Sequence, residues 1–417
     1  MVVVVASLVA ACGSGETKGA AVTALGSDVQ RVVDATSDPH VAGDTLLPFG
    51  ADAFRAISGR AAPRANVVVS PLSLALALAM LEPGATGDAG ARLDAVLRIH
   101  DPESYRASMN ALVQSLESRK AESINQGDKP GELAVRVANA AYLQHGYPFE
   151  RAYVDTIARN FGPALNEVDF RADPDAVAHA INRFVAETTH DRIKTIVPDG
   201  ALKPDDVLAL VNALYLKASW LQPFDPKQTH DESFTRHDGT TVKVPMMRGR
   251  SDTSASGDGW VAATKSYVGG LAVQFVLPDR GRFDEVAAHL TEVTAAFDRH
   301  QTKGALLGIP RFETAFGVDL EDAFKALGLD PLYEPGHLLG IADDPRLQLD
   351  LARHQTYLAM DEQGTEGAAA TVLVGEATSG PVVPPVPVVL DRPFLFRIFD
   401  QRTGATLFVG AINDPTS

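Results

Sequence analysis

The chain has a single cysteine, Cys12, among 417 residues. No internal disulfide can form, and no Cys-His nucleophile pair can be built in a folded pocket. Aromatic residues are sparse at 7%, and no Walker loop, HExxH helix or GxSxG elbow occurs, so the familiar signatures of nucleotide, zinc-peptidase and hydrolase chemistry are missing. Cations are in deficit: 37 Lys plus Arg stand against 53 Asp plus Glu, a formal net charge of −16. That balance argues against nucleic acid, whose phosphates require clustered Lys and Arg. The N-terminal apolar run "MVVVVASLVAAC" is about a dozen residues long, short of the ~20 that a membrane-spanning helix needs. A last deficit is local: from Glu362 to Asp391 there is no Lys, Arg, Phe, Tyr or Trp.

What is present describes a folded body with a large core. Apolar residues make up 45% of the chain and charged residues 22%, the balance of a soluble globular protein of two or three domains or one large one. Residues 44–59 carry apolar positions near helical spacing and end at Gly59. Ser70 and Pro71 open a second helix, apolar nearly all round, which stops at Pro83-Gly84; such a helix belongs inside a large domain. "ELAVRVANAAYLQ" alternates as a strand does, and "DVLALVNALYLKASW" is a nearly continuous apolar run, the mark of a strand covered on both faces. Between them lies a helix reaching about Thr189, with Ile181, Phe184, Val185 and Thr188 on one face. "LAVQFVLPD" is a strand, "RPFLFRIFDQRTGATLFVGAI" a strand pair joined by a turn, and "VDLEDAFKALGLD" a capped amphipathic helix ending at Gly328. With no βαβ alternation and no internal repeat, the fold class is mixed α+β. His230, Asp231, Glu232, His237 and Asp238 in "HDESFTRHDG" surround strand-like residues and an Asp-Gly turn, so they read as a solvated hairpin rather than a metal site. "GSGETKG" follows no strand and opens no helix, and no cofactor is expected.

At the N-terminus, "LVAAC" resembles a bacterial lipobox, in which a signal segment is cut before a cysteine that is then lipidated. On that reading residues 1–11 are the signal, Cys12 is the lipidation site, and the Gly-, Ser-, Ala- and Thr-rich residues 12–43 are a flexible tether. The protein would then be extracytoplasmic, a cell-surface lipoprotein held to the membrane through Cys12, or secreted. No Lys or Arg precedes the apolar run, as it does in a secretory signal, so an incidental N-terminal strand stays open.

The segment 361–379, "DEQGTEGAAATVLVGEATS", is strand-compatible yet bounded by Gly364 and by Gly380, Pro381, Pro384, Pro385 and Pro387. A strand alternates its side chains between faces. The odd set, Thr365, Gly367, Ala369, Thr371, Leu373, Gly375 and Ala377, is small or apolar without a charge; the even set holds Glu366, Ala368, Ala370, Val372, Val374 and Glu376, so both glutamates fall on one face. Such a strand can enter a sheet with its odd face on the core and its even face in water. Thr365 to Ala377 would span about 43 Å at ~3.3 Å per residue, so it suits a tall sheet. A low-complexity surface linker remains the alternative.

"DEQGTEGAAAT" resembles the hinge of the serpins, serine-protease inhibitors whose reactive loop inserts into their own central sheet after cleavage. The likeness runs from about Asp44 to Pro415 and includes "NVVVSPLSLALALAMLEPGATGDAGARL", "NALYLKASWLQPF", "HDGTTVKVPMM", "FVLPD", "IPRFE", "LEDAFKALGL" and "RPFLFRIFDQRTGATLFVGAINDP" in family order. The resemblance implies one domain, 44–417, with three β-sheets, about nine helices and an exposed reactive loop at about 362–390. The chain would be a monomer and no enzyme, acting on a target serine protease through a covalent complex.

By the same resemblance Glu362, Gly364, Thr365, Glu366, Gly367, Ala368, Ala369, Ala370 and Thr371 form the hinge. Ser70, Ser73, Asn212 and His354 match the polar cluster beneath the sheet where it must part, and Trp220 the aromatic residue near its top. Family spacing from Glu362 puts the scissile bond at Thr378-Ser379, while counting back from "DRPF" gives a site nearer Val382; Ala377 also stays open. The targets implied accept small aliphatic residues, as elastase-like and subtilisin-like enzymes do. Gly367 departs from the family's usual Ala, and the proline-rich tail of the loop is unusual. A non-inhibitory carrier, chaperone or substrate-type member is the alternative.

Overall fold

A computed structural model of the chain describes residues 22–25, 27–33, 36–62, 65–119, 131–162, 164–366 and 386–417. The α+β expectation is met. Three sheets are present. The central one has seven strands in the order Thr23–Ala24, Leu165–Val168, Leu133–Gln144, Leu208–Ser219, Gly364–Thr365, Leu351–Met360 and Phe312–Asp319. A second seven-stranded sheet runs Thr302–Lys303, Thr253–Gly257, Trp260–Ser266, Leu271–Pro278, Phe394–Asp400, Thr406–Ile412 and Val67–Val69. The third has four strands: Val388–Val389, Leu306–Pro310, Thr241–Arg250 and His230–Thr235. Ten α-helical segments occur among the described residues, the first only four residues long, against the nine or so expected.

The core helix forms as its sequence requires. The Ser70 hydroxyl accepts the Ser73 N–H at 3.2 Å, Pro71 occupies the first helical position, and all eleven residues of Pro71–Leu81 are buried. Leu208–Ser219 is covered on both faces, as its unbroken apolar run demands. Leu210, Leu214 and Leu216 point into the main core, while Ala209, Val211 and Ala213 meet Val177, Ile181 and Val185 of the helix Pro174–Thr188. Phe184, expected on that helix's buried face, is 38% exposed; the covered stripe runs through Val177, Ala178, Ile181 and Val185 instead. The "HDESFTRHDG" segment is a hairpin, with His230–Thr235 antiparallel to Thr241–Arg250.

Three expectations change. One βαβ unit does occur: Leu133–Gln144 and Leu165–Val168 are parallel neighbours joined through the helix Arg151–Phe161. The segment read as tether is docked over much of its length, since Thr23–Ala24 adds an edge strand to the central sheet and His40–Gly43 is helical. The loop is also shorter than 362–390 at both ends, with Gly364–Thr365 paired in the central sheet and Val388–Val389 in the third. Among the described residues no helix is long and apolar enough to cross a membrane.

Candidate functional site

The two longest neighbours of the central sheet that run parallel, Leu208–Ser219 and Leu351–Met360, pair only along their lower halves, from Leu351 opposite Ala209 to Thr356 opposite Leu214. Above that they part. Gly364–Thr365 enters the opening antiparallel to both, with Thr365 opposite Ala218 on one side and Met360 on the other. A tight turn delivers it: the Asp361 carboxylate accepts the N–H groups of Gln363 and Gly364 at 2.8 and 3.2 Å, and Asp361 N–H donates to the Gly364 carbonyl at 3.0 Å. Position 364 must be glycine, because a Cβ there would lie 2.1 Å from the Ala218 carbonyl oxygen. Glu366 N–H donates to the Ala359 carbonyl at 2.9 Å, and its φ of 52° departs from the extended backbone of a strand.

Three side chains of this entering segment, Glu362, Thr365 and Glu366, have partners on the surrounding elements. Thr365 is 1% exposed, with its hydroxyl 2.6 Å from that of Tyr267. Tyr267 stacks on Trp220 at 4.2 Å, and the Trp220 indole N–H donates to the Asp361 carbonyl at 2.9 Å. Trp220 and Phe224 also donate their backbone N–H groups to the carbonyls of Gln363 and Glu362. Glu362 is buried; its carboxylate accepts from Arg311 at 2.5 Å and from Thr229 at 2.8 Å. Burial pushes the Glu362 carboxyl up, but these hydrogen bonds outweigh it and hold the group below its ordinary value. Glu366, expected to face water, is buried instead: it pairs with Arg192, and Arg192 lies over the Tyr357 ring. Burial, together with a hydrogen bond to the Glu366 carboxylate, pushes the Tyr215 hydroxyl up.

Lys265 is an odd neighbour for this aromatic cluster. Its ammonium is buried 4.6 Å from the Phe224 ring centre and 5.7 Å from that of Trp220, and it donates to the Arg250 carbonyl at 3.3 Å. Burial brings its pKa down to about 8, opposed in part by Asp252.

Below the opening, the structure brings Ser70, Ser73, Asn212 and His354 into one buried cluster. The Ser70 N–H donates to His354 Nε2 at 3.1 Å, which assigns the imidazole proton to Nδ1; that N–H then donates to Asn212 Oδ1 at 2.5 Å. Ser73 donates to Asn139 Oδ1 at 2.9 Å and lies 3.4 Å from Asn212 Oδ1. Sequence reasoning missed Asn139, the cross-strand partner of Asn212; its only signal was a polar residue at a buried strand position. It also missed Thr229, Arg311, Arg192, Tyr267 and Lys265, which lie far along the chain from the segment they hold. Cys12, Gly367, Ala368, Ala369, Ala370, Thr371, Ala377, Thr378, Ser379 and Val382 lie outside the described residues.

Two outcomes follow from this geometry. Burial drives His354 down to about 3, so the native state refuses a proton that the unfolded chain accepts below pH ~6.5. Stability therefore falls as pH drops through that window, by about 2 kcal/mol between pH 6.5 and 5. Calorimetry should show this loss in the wild type and a flatter profile in His354→Gln; equal slopes would show that the imidazole is not its source. Glu362→Lys removes the acceptor for Arg311 and Thr229 and puts a cation beside Arg311, which should lower intact-protein stability by about 2–3 kcal/mol in denaturant unfolding.

Residues 45–415 match the family model described as serpin (serine protease inhibitor). Over 402 residues, covering 94% of each chain, the sequence is 31% identical to alpha-1-antitrypsin of Meriones unguiculatus. It is 29% identical over 371 residues to human neuroserpin, covering 84% of this chain and 86% of that one. The structure of an Arabidopsis serpin in a native stressed conformation superposes with a TM-score of 0.77 at 22% identity, covering 91% of this chain and all of the other, a likeness of fold. With nearly its entire folded length matched, and with three sheets arranged as that fold arranges them, the chain belongs to the serpin family of protease inhibitors rather than to the enzymes.

Proposed function

We propose that the protein is an irreversible suicide inhibitor of serine proteases that prefer small aliphatic residues. The observation that carries this reading is the parted top of the central sheet, already occupied by Gly364–Thr365. The target's serine Oγ attacks the carbonyl of the residue before the cut, an ester forms, and the following residue leaves as the new amino terminus. Release of that end lets the loop continue the strand begun at Thr365, carrying the tethered enzyme across the molecule before water completes hydrolysis.

The register supports a definite bond. Extending the pairing of Thr365 with Ala218 and Met360 residue by residue brings Gly375 opposite Leu208 and Val374 opposite Leu351, the lower ends of both flanking strands. Cleavage after Thr378 leaves three residues beyond that edge, enough to reach the ester without slack. Cleavage after Val382 leaves seven, and a slack linker lets the protease recover its active site. We therefore favour Thr378-Ser379, with Gly367, Ala368, Ala369, Ala370 and Thr371 as the inserting hinge and Ser70, Ser73, Asn139, Asn212 and His354 as the polar bonds that rearrange when the sheet opens. The loop's lack of Lys, Arg and aromatics supports elastase-like or subtilisin-like targets. The second reading, a substrate-type or carrier member, is favoured by Gly367, which lowers strand propensity.

A cell-surface location through a lipidated Cys12 belongs to this proposal. With Thr23 on the sheet edge, eleven residue steps separate it from Cys12, at most about 40 Å of chain. Mass spectrometry of membrane-fraction protein should find lipid on Cys12; an intact Met1 with unmodified cysteine would contradict the anchor.

Incubation with elastase, subtilisin and trypsin, followed by a denaturing gel, should give an SDS-resistant complex with one of the first two and a released fragment beginning at Ser379. Complete cleavage without complex would make the protein a substrate for those enzymes. Thr365→Arg places a cation against Tyr267 on the inserting face, so this variant should be cut without being trapped; a persistent complex would refute the insertion step.

A further inference from the structure

The N-terminal residues 22–33 precede the part of the chain that matches the family model. They nevertheless bridge two neighbouring elements of the fold, the helix Arg151–Phe161 with its edge strand and the helix Pro102–Glu117. On one side Thr23–Ala24 pairs with Leu165–Val168, Leu25 N–H donates to the Leu165 carbonyl at 3.0 Å, and the Ser27 hydroxyl donates to Asp155 at 2.6 Å. Val32 N–H adds a bond to the Arg159 carbonyl at 2.9 Å. These partners, the edge strand and the helix Arg151–Phe161, lie on the same side of the sheet opening as Leu133–Gln144. On the other side Arg31 Nε donates to Asn110 Oδ1 at 2.8 Å, and Asn110 and Gln114 donate to the Val32 carbonyl at 2.7 and 3.0 Å. Asn110 and Gln114 belong to the helix Pro102–Glu117, just past whose end Arg119 makes a buried ion pair with Asp400 of the second sheet.

Inserting one more strand between Leu208–Ser219 and Leu351–Met360 displaces the strands on the two sides by one sheet spacing, ~4.8 Å. The edge strand and Arg151–Phe161 lie on one side of the opening; Pro102–Glu117 packs against Arg151–Phe161 and Leu133–Gln144 but is tied to the second sheet through Arg119 and Asp400, and on this proposal it stays with that sheet. A shift of that size is longer than any hydrogen bond, so the segment cannot keep both sets of partners. The Arg31 side chain also lines a cavity of about 90 Å³ whose wall includes Leu76, Met80 and Asn139. Asn139 is the strand residue bonded to Ser73, so the cavity that Arg31 lines borders the cluster that holds the sheet closed.

We propose that residues 22–33 are a strap that holds the central sheet in its closed form, with Arg31 as one of its anchors through Asn110. This rests on the reading that the sheet opens to take up the loop. Ser27→Ala, at a partly exposed site that leaves the core untouched, and Arg31→Ala each remove one attachment.

The experiment stores intact full-length protein at raised temperature and follows loss of protease trapping together with the appearance of a form that melts higher. Each variant should convert about fivefold faster than the wild type, the factor expected for one hydrogen bond, with unchanged trapping when fresh. Each should melt lower before loop cleavage and at the wild-type temperature after it. Equal conversion rates, or an equal drop in melting before and after cleavage, would make the segment ordinary packing and overturn the strap. A wild type that neither traps nor melts higher after cleavage would overturn the inhibitor reading itself, a result distinguishable from the first.

Discussion

The structure depends on an unfinished pairing. Leu208–Ser219 and Leu351–Met360 are parallel neighbours whose backbone hydrogen bonds run only through their lower halves. Backbone groups left open in a buried sheet are costly, so each strand edge above Thr356 needs a partner. Gly364–Thr365 supplies one at the top. Below it the buried cluster of Ser70, Asn212 and His354 holds the strands together by side-chain bonds, although Asn212 Nδ2 is left without a partner there. The opening is thus capped at both ends by groups that can be exchanged for a strand.

The polar and charged groups around the opening oppose one another. Glu362 is satisfied twice and anchors the turn that aims the loop into the sheet. Lys265 and Glu366 are less well placed: one is a buried ammonium against aromatic faces, the other a buried carboxylate on a left-handed backbone. Buried charge and backbone strain of this kind persist only where the surrounding structure over-determines them. Here they sit at the top of the opening, where the proposed insertion would begin.

Much of this was legible in the chain. Ser70-Pro71 announces a helix start that the Ser70 hydroxyl makes good, and the unbroken run in Leu208–Ser219 signals cover on both faces. Alternation in 365–377 separates Thr365, which faces Tyr267, from Glu366, which faces Arg192. What stayed hidden depends on contacts between distant residues. Glu366 reads as solvent-facing because its partner lies 174 positions away. The docked N-terminal segment looks like tether because a two-residue edge strand has no periodicity to detect, and its hold comes from Asn110, Gln114 and Asp155. Phe184 shows the limit of helical spacing, since position on a face does not say how far the neighbouring strands extend beneath it.

The most direct test of a sheet that is incomplete until its loop enters it is the melting temperature of the protein before and after a single cut in residues 367–385. If the loop completes the sheet, the cut protein melts well above the intact one, because new backbone pairs and a buried small-residue face are added while the rest of the fold is kept. If the two forms melt together, or the cut form melts lower, the opening between Leu208–Ser219 and Leu351–Met360 is not a place waiting for a strand, and the account is wrong at its centre.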